Sequence, residues 1–314
     1  MGVVSGRPPW PGRALRLGGF RGRAAGRLAV VAALAVNLSG CEWGVLDPKG
    51  PVGAADRTIL IDSVAIMLAI VIPTIIATLA FAWWFRASNP RARHLPDFVY
   101  SGRVELVVWS IPLLTIILLG GVTWIGAHEL DPAKPLASSN KPLPIQVVSL
   151  DWKWLFIYPE QKVAVVNRLV APVGVPLQMS LTSSSVMNVF FVPQLGSMIY
   201  TMNGMTVHLN LEADQPGVYH GLSAHFSGDG FSDMHFDVQA ISPADFTAWA
   251  QQSAAANQAL DAKAYQDLAK QSANVPPTIY RLADENLFDD IVTQKLPPGP
   301  GPQTGQPSPA VKPH

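Results

Sequence analysis

Two long apolar runs constrain this chain more than any other feature. Neither 63–85 nor 106–127 contains an Asp, Glu, Lys or Arg. Each run is longer than the roughly 20 residues with which a helix crosses a hydrocarbon core of about 30 Å, and longer than a buried helix of a soluble protein usually needs. The runs therefore predict a transmembrane hairpin, with one helix over 58–85 and a second over 104–127.

The charge of the connecting loop predicts the orientation of this hairpin. The loop, 86–103, has a single acid, Asp97, and four arginines: Arg86, Arg91, Arg93 and Arg103. A basic excess beside membrane spans marks the cytoplasmic side. Both long flanks are therefore predicted to lie outside the cytoplasm.

The N-terminal residues 1–40 predict a lipoprotein signal peptide. They hold six arginines and no acid, and the apolar run 28–36 is too short to span a membrane. The run ends in Leu38-Ser39-Gly40-Cys41, which resembles a bacterial lipobox. That resemblance implies cleavage before Cys41, a diacylglycerol group on its sulfur, and a multi-pass lipoprotein of the bacterial inner membrane with its C-terminal domain in the periplasm. An ordinary signal peptide with an incidental cysteine is the alternative.

Composition narrows the classes of partner and of metal site. Removing the six arginines of residues 1–40 from the 22 basic residues leaves 16 against 22 acidic ones, a net charge of −6. This acidity disfavours nucleic acid as a partner. Cys41 is the one cysteine of the chain, so the mature sequence allows no intrachain disulfide and no metal site built from two thiolates.

The second half of the chain predicts a β domain. A short link, 41–57, precedes the hairpin, and a proline-rich linker, 128–143, follows it. Short apolar runs punctuated by turn-forming residues then predict an antiparallel Greek-key sandwich over 144–241. The expected strands are 145–150, 154–158, 163–166, 177–182, 186–192, 206–211, 217–223 and 234–240.

Beyond the sandwich, 242–294 predicts a helical extension, with one helix running to about Gln271 and a short helix near 282–294. The proline- and glycine-rich tail 295–314 is predicted to be disordered. The fold class expected from the whole sequence is thus a membrane α+β protein, in which a two-helix hairpin carries a β-sandwich and a helical extension.

Two motifs in the β domain resemble a known family. The stretches VSLDWKW at 148–154 and SVMNVFFVP at 185–193, in this order after a hairpin, resemble subunit II of the haem–copper respiratory oxidases. The resemblance covers about 38–240 and implies a cupredoxin-like sandwich. In the cytochrome c oxidases of that family the sandwich holds a binuclear copper centre, whose ligands are an early His and then Cys-x-Glu-x-Cys-x-x-x-His-x-x-Met.

This sequence keeps the spacing of that motif and lacks most of its ligands. In family order, the positions of His, Cys, Glu, Cys, His and Met hold Asn188, Ser223, His225, Ser227, Phe231 and Met234. A serine hydroxyl stays protonated at neutral pH and is a hard oxygen ligand, so it cannot replace a bridging thiolate. The resemblance therefore implies a vacated copper site and no metal bound by this chain.

Two other interpretations of these residues remain open. The histidines at 208, 220, 225 and 235 are compatible with a different copper or zinc site, although their spacing favours ordinary surface or core positions. Trp152 falls where cytochrome c oxidases place an electron-entry tryptophan. Without copper beneath it, a structural role is favoured.

The missing copper ligands indicate the branch of the family. Quinol oxidases of the cytochrome bo type have a copper-free subunit II, and electrons pass from ubiquinol directly to haem in subunit I. The resemblance implies a subunit of a proton-pumping ubiquinol oxidase that reduces oxygen to water. The haems and copper would lie in subunit I, and the expected partners are subunit I, other small oxidase subunits and membrane lipid. The alternatives are a cytochrome c oxidase subunit and a free-standing lipoprotein binding module.

One carboxylate is a candidate for proton transfer. Glu105 opens the second helix on the predicted cytoplasmic side, just before a long uncharged run. An ionisable residue at that place is either an interfacial group or part of a proton pathway, and the residues alone favour neither. The resemblance implies the second, because Glu105 matches a glutamate at the cytoplasmic mouth of a proton channel into subunit I.

Overall fold

Two helices carry the membrane-spanning part of the chain. The structure is a computed structural model that describes residues 44–93 and 95–301, so Cys41, the predicted signal peptide and most of the predicted tail lie outside the described residues. Helix α1 (Pro51–Trp84) and helix α2 (Gly102–Glu129) are long and apolar enough to cross a membrane. Their side chains are mostly exposed, as expected for helices that face lipid or a partner subunit.

Helix α1 begins at Pro51, well before the predicted start at residue 58. The predicted start follows Arg57 and lies close to the edge of the apolar run. Proline at the first helical position needs no amide hydrogen bond and has the required φ angle. The helix can therefore begin at Pro51, ahead of the apolar run. Its first turns consequently lie outside the apolar run.

These first turns pack against the sandwich. The amide of Gly53 donates to the carbonyl of Leu195 at 3.0 Å. A Cβ atom at Gly53 would lie 3.0 Å from the carbonyl oxygen of Gln194, so a larger residue would be crowded there. The hydroxyl of Ser197 donates to the carboxylate of Asp56 at 2.8 Å. The hairpin and the sandwich are thus joined by direct contacts at the outer end of α1.

The β domain consists of two sheets. The seven-stranded sheet has the order β11-β12-β3-β2-β1-β5-β8, and the five-stranded sheet has the order β4-β10-β9-β6-β7. The strands are β1 (Leu143–Leu150), β2 (Lys153–Tyr158), β3 (Val163–Val166), β4 (Arg168–Pro172), β5 (Leu177–Ser183), β6 (Asn188–Phe191), β7 (Ile199–Thr201), β8 (Val207–Leu211), β9 (Gly217–Ser223), β10 (His235–Ile241), β11 (Ala259–Leu260) and β12 (Thr278–Leu282). The predicted fold class, a membrane hairpin followed by a cupredoxin-like sandwich, is confirmed.

The strand pairing differs from the prediction in two respects. The pairs β1–β5, β4–β10 and β11–β12 are parallel, so the sandwich is not purely antiparallel as predicted. Strands β4 and β7 were not expected. Only Asn167, in the left-handed conformation with φ 53°, separates β3 from β4, and the chain changes from one sheet to the other there. The one trace of this switch in the sequence is Asn167 itself, a residue type that tolerates the left-handed conformation but is not specific to it.

Aromatic rings fill the space between the sheets. Trp154 and Phe156 project from β2 toward Phe190 and Phe236 of the five-stranded sheet, and all four side chains are buried. The rings of Trp154 and Phe190 meet edge to face with centroids 5.4 Å apart, while Phe190 and Phe236 stack at 5.0 Å. Such pairs add to the burial of apolar area, so this cluster is the centre of the sandwich core.

The C-terminal extension is not helical throughout. It contains α3 (Pro243–Ala254), α4 (Ala262–Leu268) and α5 (Leu287–Val292). The predicted continuous helix to Gln271 is therefore wrong, because two shorter helices replace it. The predicted helix near 282–294 begins later than expected, at Leu287, because Leu282 is the last residue of β12. That strand pairs antiparallel with β3, with Tyr280 opposite Ala164. Intrinsic helix propensity is weak, and the hydrogen bonds and burial gained beside β3 override it.

The extension also builds a second core on the outer face of the seven-stranded sheet. That face of β1–β3 presents Val148, Leu150, Leu155, Ile157, Ala164 and Val166. The extension covers these residues with Tyr265, Leu282, Leu287, Phe288 and Ile291, among others. Strands β2 and β3 are thereby buried on both faces, which explains why their sequences are continuously apolar rather than alternating.

A buried lysine ties this extension to the sheet. The side chain of Lys153 is fully buried, and its amine donates to the carbonyls of Asp151 (3.2 Å) and Lys270 (2.7 Å) and to the hydroxyl of Ser272 (2.6 Å). Burial lowers the pKa of Lys153 from 10.5 to about 8, while the nearby charge of Asp151 acts in the opposite direction. Two of the three acceptors belong to the extension, so the amine holds 270–272 against β2.

Stability of the outer domain should depend on pH through Lys153. Between pH 8 and 10.5 the unfolded chain retains a proton that the folded chain has lost, so the free energy of unfolding should rise by about 3 kcal/mol as pH rises through this window. Below pH 8 both states are protonated and the full cost of burying the charge remains. Chemical denaturation of the full chain in detergent, followed by tryptophan fluorescence at several pH values, measures the effect.

Lys153→Met should lack this pH-dependent rise. The matched control is Lys270→Met, because the Lys270 side chain is exposed and forms a surface ion pair with Asp267. Parallel stability curves for the wild type and Lys153→Met would contradict the assignment.

Candidate functional site

Four of the six positions expected to hold copper ligands lie close together in the sandwich. Asn188 begins β6 and Ser223 ends β9, and these strands are neighbours in the five-stranded sheet. Ser227 and Met234 belong to the segment between β9 and β10, and the Ser227 hydroxyl lies 4.0 Å from the Met234 sulfur. All four side chains are buried. The fold thus preserves the place of the motif while changing its chemistry.

Hydrogen bonds among neutral groups occupy this place. Ser223 donates to the side-chain oxygen of Asn188 at 3.4 Å. The Asn188 amide group donates to the carbonyl of Val186 at 3.2 Å and to the hydroxyl of Ser149 at 3.4 Å. The hydroxyls of Ser149 and Thr201 are 2.9 Å apart. A buried polar group is costly unless it is bonded, and here each group has a partner within the protein.

The other two positions point elsewhere. The ring of His225 lies beside Tyr200, with centroids 6.0 Å apart. The ring of Phe231 meets Phe226 edge to face at 5.6 Å, and Phe226 is 72% exposed. Neither side chain takes part in the hydrogen-bond network around Asn188.

The donor set does not fit a binuclear copper centre. Two bridging thiolates and two imidazoles are needed, whereas the buried positions offer hydroxyl and amide groups and one thioether. Among residues 44–93 and 95–301, no three His, Cys, Asp or Glu side chains converge on a possible metal position. His220 and His235 lie near each other, with ring centroids 5.5 Å apart, on an exposed part of the sheet.

Trp152 has a structural role in this geometry. It lies in the two-residue turn between β1 and β2 with φ 66°, which is unusual for a residue other than glycine. Its buried indole Nε1 donates to the carbonyl of Ser227 at 3.0 Å. A Cβ atom at Gly230 would collide with the indole ring, so glycine is required there. Trp152 therefore supports the loop that carries the vacated motif.

The sequence analysis did not identify Asp151 as a contact residue. One carboxylate oxygen of Asp151 accepts from the Ser185 hydroxyl in a short hydrogen bond, and the other accepts from the amide of Gly301 at 3.0 Å. Gly299 donates from its amide to the carbonyl of Ser184 at 2.8 Å. The first residues of the tail, 295–301, thus reach the 183–186 segment beside the network, so the prediction of disorder is wrong for the described part of the tail. An acid between two buried apolar strands was the signal that could have drawn attention to it.

Glu105 lies in the first turn of α2, far along the chain from the sandwich site. Its side chain is exposed, and one carboxylate oxygen accepts a hydrogen bond of 2.8 Å from the indole Nε1 of Trp109. The carboxylate is therefore held by a neighbour one helical turn away. This contact between Glu105 and Trp109 was not predicted from the sequence.

Comparisons with known proteins agree with this architecture. The family model described as "Cytochrome C oxidase subunit II, periplasmic domain" matches residues 145–241, and the "COX Aromatic Rich Motif" matches residues 254–299. The second match covers most of the extension that packs on the outer face of the sheet. A membrane hairpin, this sandwich and this extension together define the class as an oxidase subunit II.

Similar full-length proteins narrow the class. "Cytochrome bo(3) ubiquinol oxidase subunit 2" of Pseudomonas aeruginosa is 48% identical over 260 residues, which cover 83% of this chain and 78% of that protein. "Ubiquinol oxidase subunit 2" of Acetobacter aceti is 47% identical and covers 83% of this chain and 85% of its own length. "Quinol oxidase subunit 2" of Bacillus cereus is 36% identical over 69% of this chain and 75% of its own. The chain belongs to the ubiquinol oxidase subunit 2 family of the haem–copper oxidases.

Restoring a single histidine should not restore copper binding. Phe231→His supplies an imidazole, but the bridging thiolates would still be absent, so the purified chain should contain no stoichiometric copper. Metal analysis and near-infrared absorption of the mixed-valence state measure this. The positive control combines Asn188→His, Ser223→Cys, Ser227→Cys and Phe231→His with the native Met234. One or more equivalents of tightly bound copper in Phe231→His alone would contradict the ligand argument.

Proposed function

We propose that this chain is subunit II of a proton-pumping terminal oxidase that oxidises ubiquinol and reduces oxygen to water. The names of relatives at 47–48% identity support the substrate. The observation that carries the proposal is the donor set at Asn188, Ser223 and Ser227, where neutral oxygen and nitrogen groups replace the thiolates and imidazole of an electron relay.

It follows that the electron donor of the oxidase does not pass its electrons through this chain. An outer copper relay serves a water-soluble donor that docks outside the membrane. A quinol dissolved in the bilayer can instead reach the membrane-embedded subunit directly. The haems and copper of the complex therefore belong to subunit I, and this chain has no redox centre of its own.

The role of the outer domain is structural. Contacts between the start of α1 and the 194–197 segment fix the sandwich to the hairpin, and the second core fixes the extension to the sandwich. A hairpin that packs on subunit I would thereby position a single rigid unit over it. Assembly with subunit I and other small oxidase subunits is the function that this rigidity supports.

The proposed location is the bacterial inner membrane, with the sandwich in the periplasm. The excess of arginine in the loop between α1 and α2 supports this orientation, since none of these arginines forms an ion pair within the described part of the chain. Lipidation of Cys41, which lies outside the described residues, would add a second anchor in the outer leaflet. Intact-mass measurement of the purified chain tests for cleavage before Cys41 and for the added acyl mass.

Glu105 is the proposed contribution of this chain to proton uptake. It lies at the end of α2 that the arginine-rich loop assigns to the cytoplasm, two residues from Arg103. A carboxylate at this boundary can exchange protons with water and pass them into a partner subunit that covers α2. The position in the first turn of α2 and the hydrogen bond from Trp109 support this role.

Purification of the complex from membranes tests the proposed function. The expected result is co-purification with a large haem-binding subunit, copper bound only in that subunit, and rapid oxygen consumption with ubiquinol but not with reduced cytochrome c. Fast oxidation of cytochrome c, or a mixed-valence copper signal from this chain, would overturn it. Recovery of this chain alone, without a haem subunit, would favour a free-standing binding module.

Glu105→Ala should slow ubiquinol-driven oxygen reduction in the purified complex. The expected loss is about tenfold or more, since a positioned proton-transfer group typically contributes at least that much to a rate. The control is Asp62→Ala, which removes a carboxylate from α1. Unchanged turnover in Glu105→Ala, at the same haem content as the wild type, would remove the proton-entry role.

A further inference from the structure

The geometry around Glu105 indicates a role for its neighbour Trp109. The indole Nε1 of Trp109 donates to one carboxylate oxygen of Glu105 at 2.8 Å, across one turn of α2. An indole N–H can only donate a hydrogen bond, so the contact orients the carboxylate without competing for its proton. The second carboxylate oxygen stays available to receive a proton and to pass it on.

On the same face of α2, one backbone carbonyl loses its usual helical donor. Pro112 lies inside the helix and has no amide hydrogen, so the carbonyl of Val108 lacks its helical donor. Residues 105, 108, 109 and 112 are neighbours on one helical face. Unsatisfied polar groups are costly in hydrocarbon, so this stripe should face water or a partner protein rather than lipid.

Packing within this chain does not explain Trp109. Its side chain is 73% exposed, and the hydrogen bond to Glu105 is its one polar contact among the described residues. A tryptophan at the headgroup level is common in membrane helices, but an interfacial anchor needs no carboxylate partner. The residue is therefore placed to act on Glu105.

We propose that Trp109 is a positioning residue for proton uptake, which holds the Glu105 carboxylate in the orientation that delivers protons toward the partner subunit. The proposal rests on the proposed role of Glu105. It adds that the rate depends on the indole N–H and on no other property of the ring.

A double-mutant cycle in the purified complex tests this dependence. Ubiquinol-driven oxygen consumption is measured for the wild type, Glu105→Gln, Trp109→Phe and the double variant, each normalised to haem content. Trp109→Phe removes the donor and keeps an apolar ring, so kcat should fall about threefold to tenfold, the effect of one hydrogen bond, with the KM for ubiquinol unchanged. The double variant should be no slower than Glu105→Gln.

A second pair of variants separates the hydrogen bond from the ring. The variants Trp109→Gln and Trp109→Leu introduce side chains that are similar to each other in size. Of these two side chains, only glutamine can donate a hydrogen bond to a carboxylate one turn away. The glutamine variant should retain more activity than the leucine variant. Trp124→Phe is the matched control, because Trp124 lies near the other end of α2 and is 69% exposed.

The outcomes distinguish a failure of the Trp109 inference from a failure of the proposed proton-entry role of Glu105. If Glu105→Gln is slow and Trp109→Phe is not, or if the two effects multiply in the double variant, the inference is overturned and the role of Glu105 stands. Equal activity of the glutamine and leucine variants would also overturn it. If Glu105→Gln itself turns over at the wild-type rate, the proton-entry role fails and the inference fails with it.

Discussion

The turn between β1 and β2 holds three otherwise separate parts of the outer domain together. Its tryptophan binds the loop that follows β9, its aspartate binds the 183–186 segment and the end of the extension, and the lysine that follows binds the extension again at 270–272. These groups are buried and bonded to partners far away in the chain, so removal of any one leaves a polar group unsatisfied. The position of the vacated motif and the attachment of the extension therefore depend on the same short segment.

This arrangement supplies links between strands of the sandwich that do not depend on a metal ion. A binuclear copper centre would cross-link β6 to the loop after β9 through metal–ligand bonds. Here a series of neutral hydrogen bonds runs from Ser223 in β9 through Asn188 in β6 and Ser149 in β1 to Thr201 in β7, and so also links the two sheets. Each bond contributes only about 1 kcal/mol, but a buried network in which the groups are paired also disfavours alternative packing. The extension adds a second core on the outer face of the seven-stranded sheet.

The two functional regions of the chain have different physical requirements. The sandwich needs rigidity, which burial on both faces of β2 and β3 supplies. The proposed proton uptake needs an ionisable group in contact with water, and Glu105 and Trp109 are both exposed in this chain. The outer end of α1 joins the two regions, because it extends beyond the apolar run and bonds to the sandwich. The subunit thus combines a sandwich whose strands β2 and β3 are buried on both faces with an exposed stripe of α2 that carries Glu105 and Trp109.

The sequence by itself determined the membrane hairpin and most strands of the sandwich, and it predicted the orientation of the hairpin and a vacated copper site. These follow from properties that each segment carries alone: the length of an apolar run, the charge of a loop, the chemistry of a serine at a cysteine position. The tertiary structure decided the parallel pairing of β1 with β5, the change of sheet at Asn167, the strands β11 and β12, and the partners of Asp151, Lys153 and Glu105. Pairing and burial depend on residues that are distant in the chain, and neither periodicity nor propensity contains that information. The continuous apolar pattern of β2 and β3 indicated that something covers their second face, but only the folded chain identified the C-terminal extension as the cover.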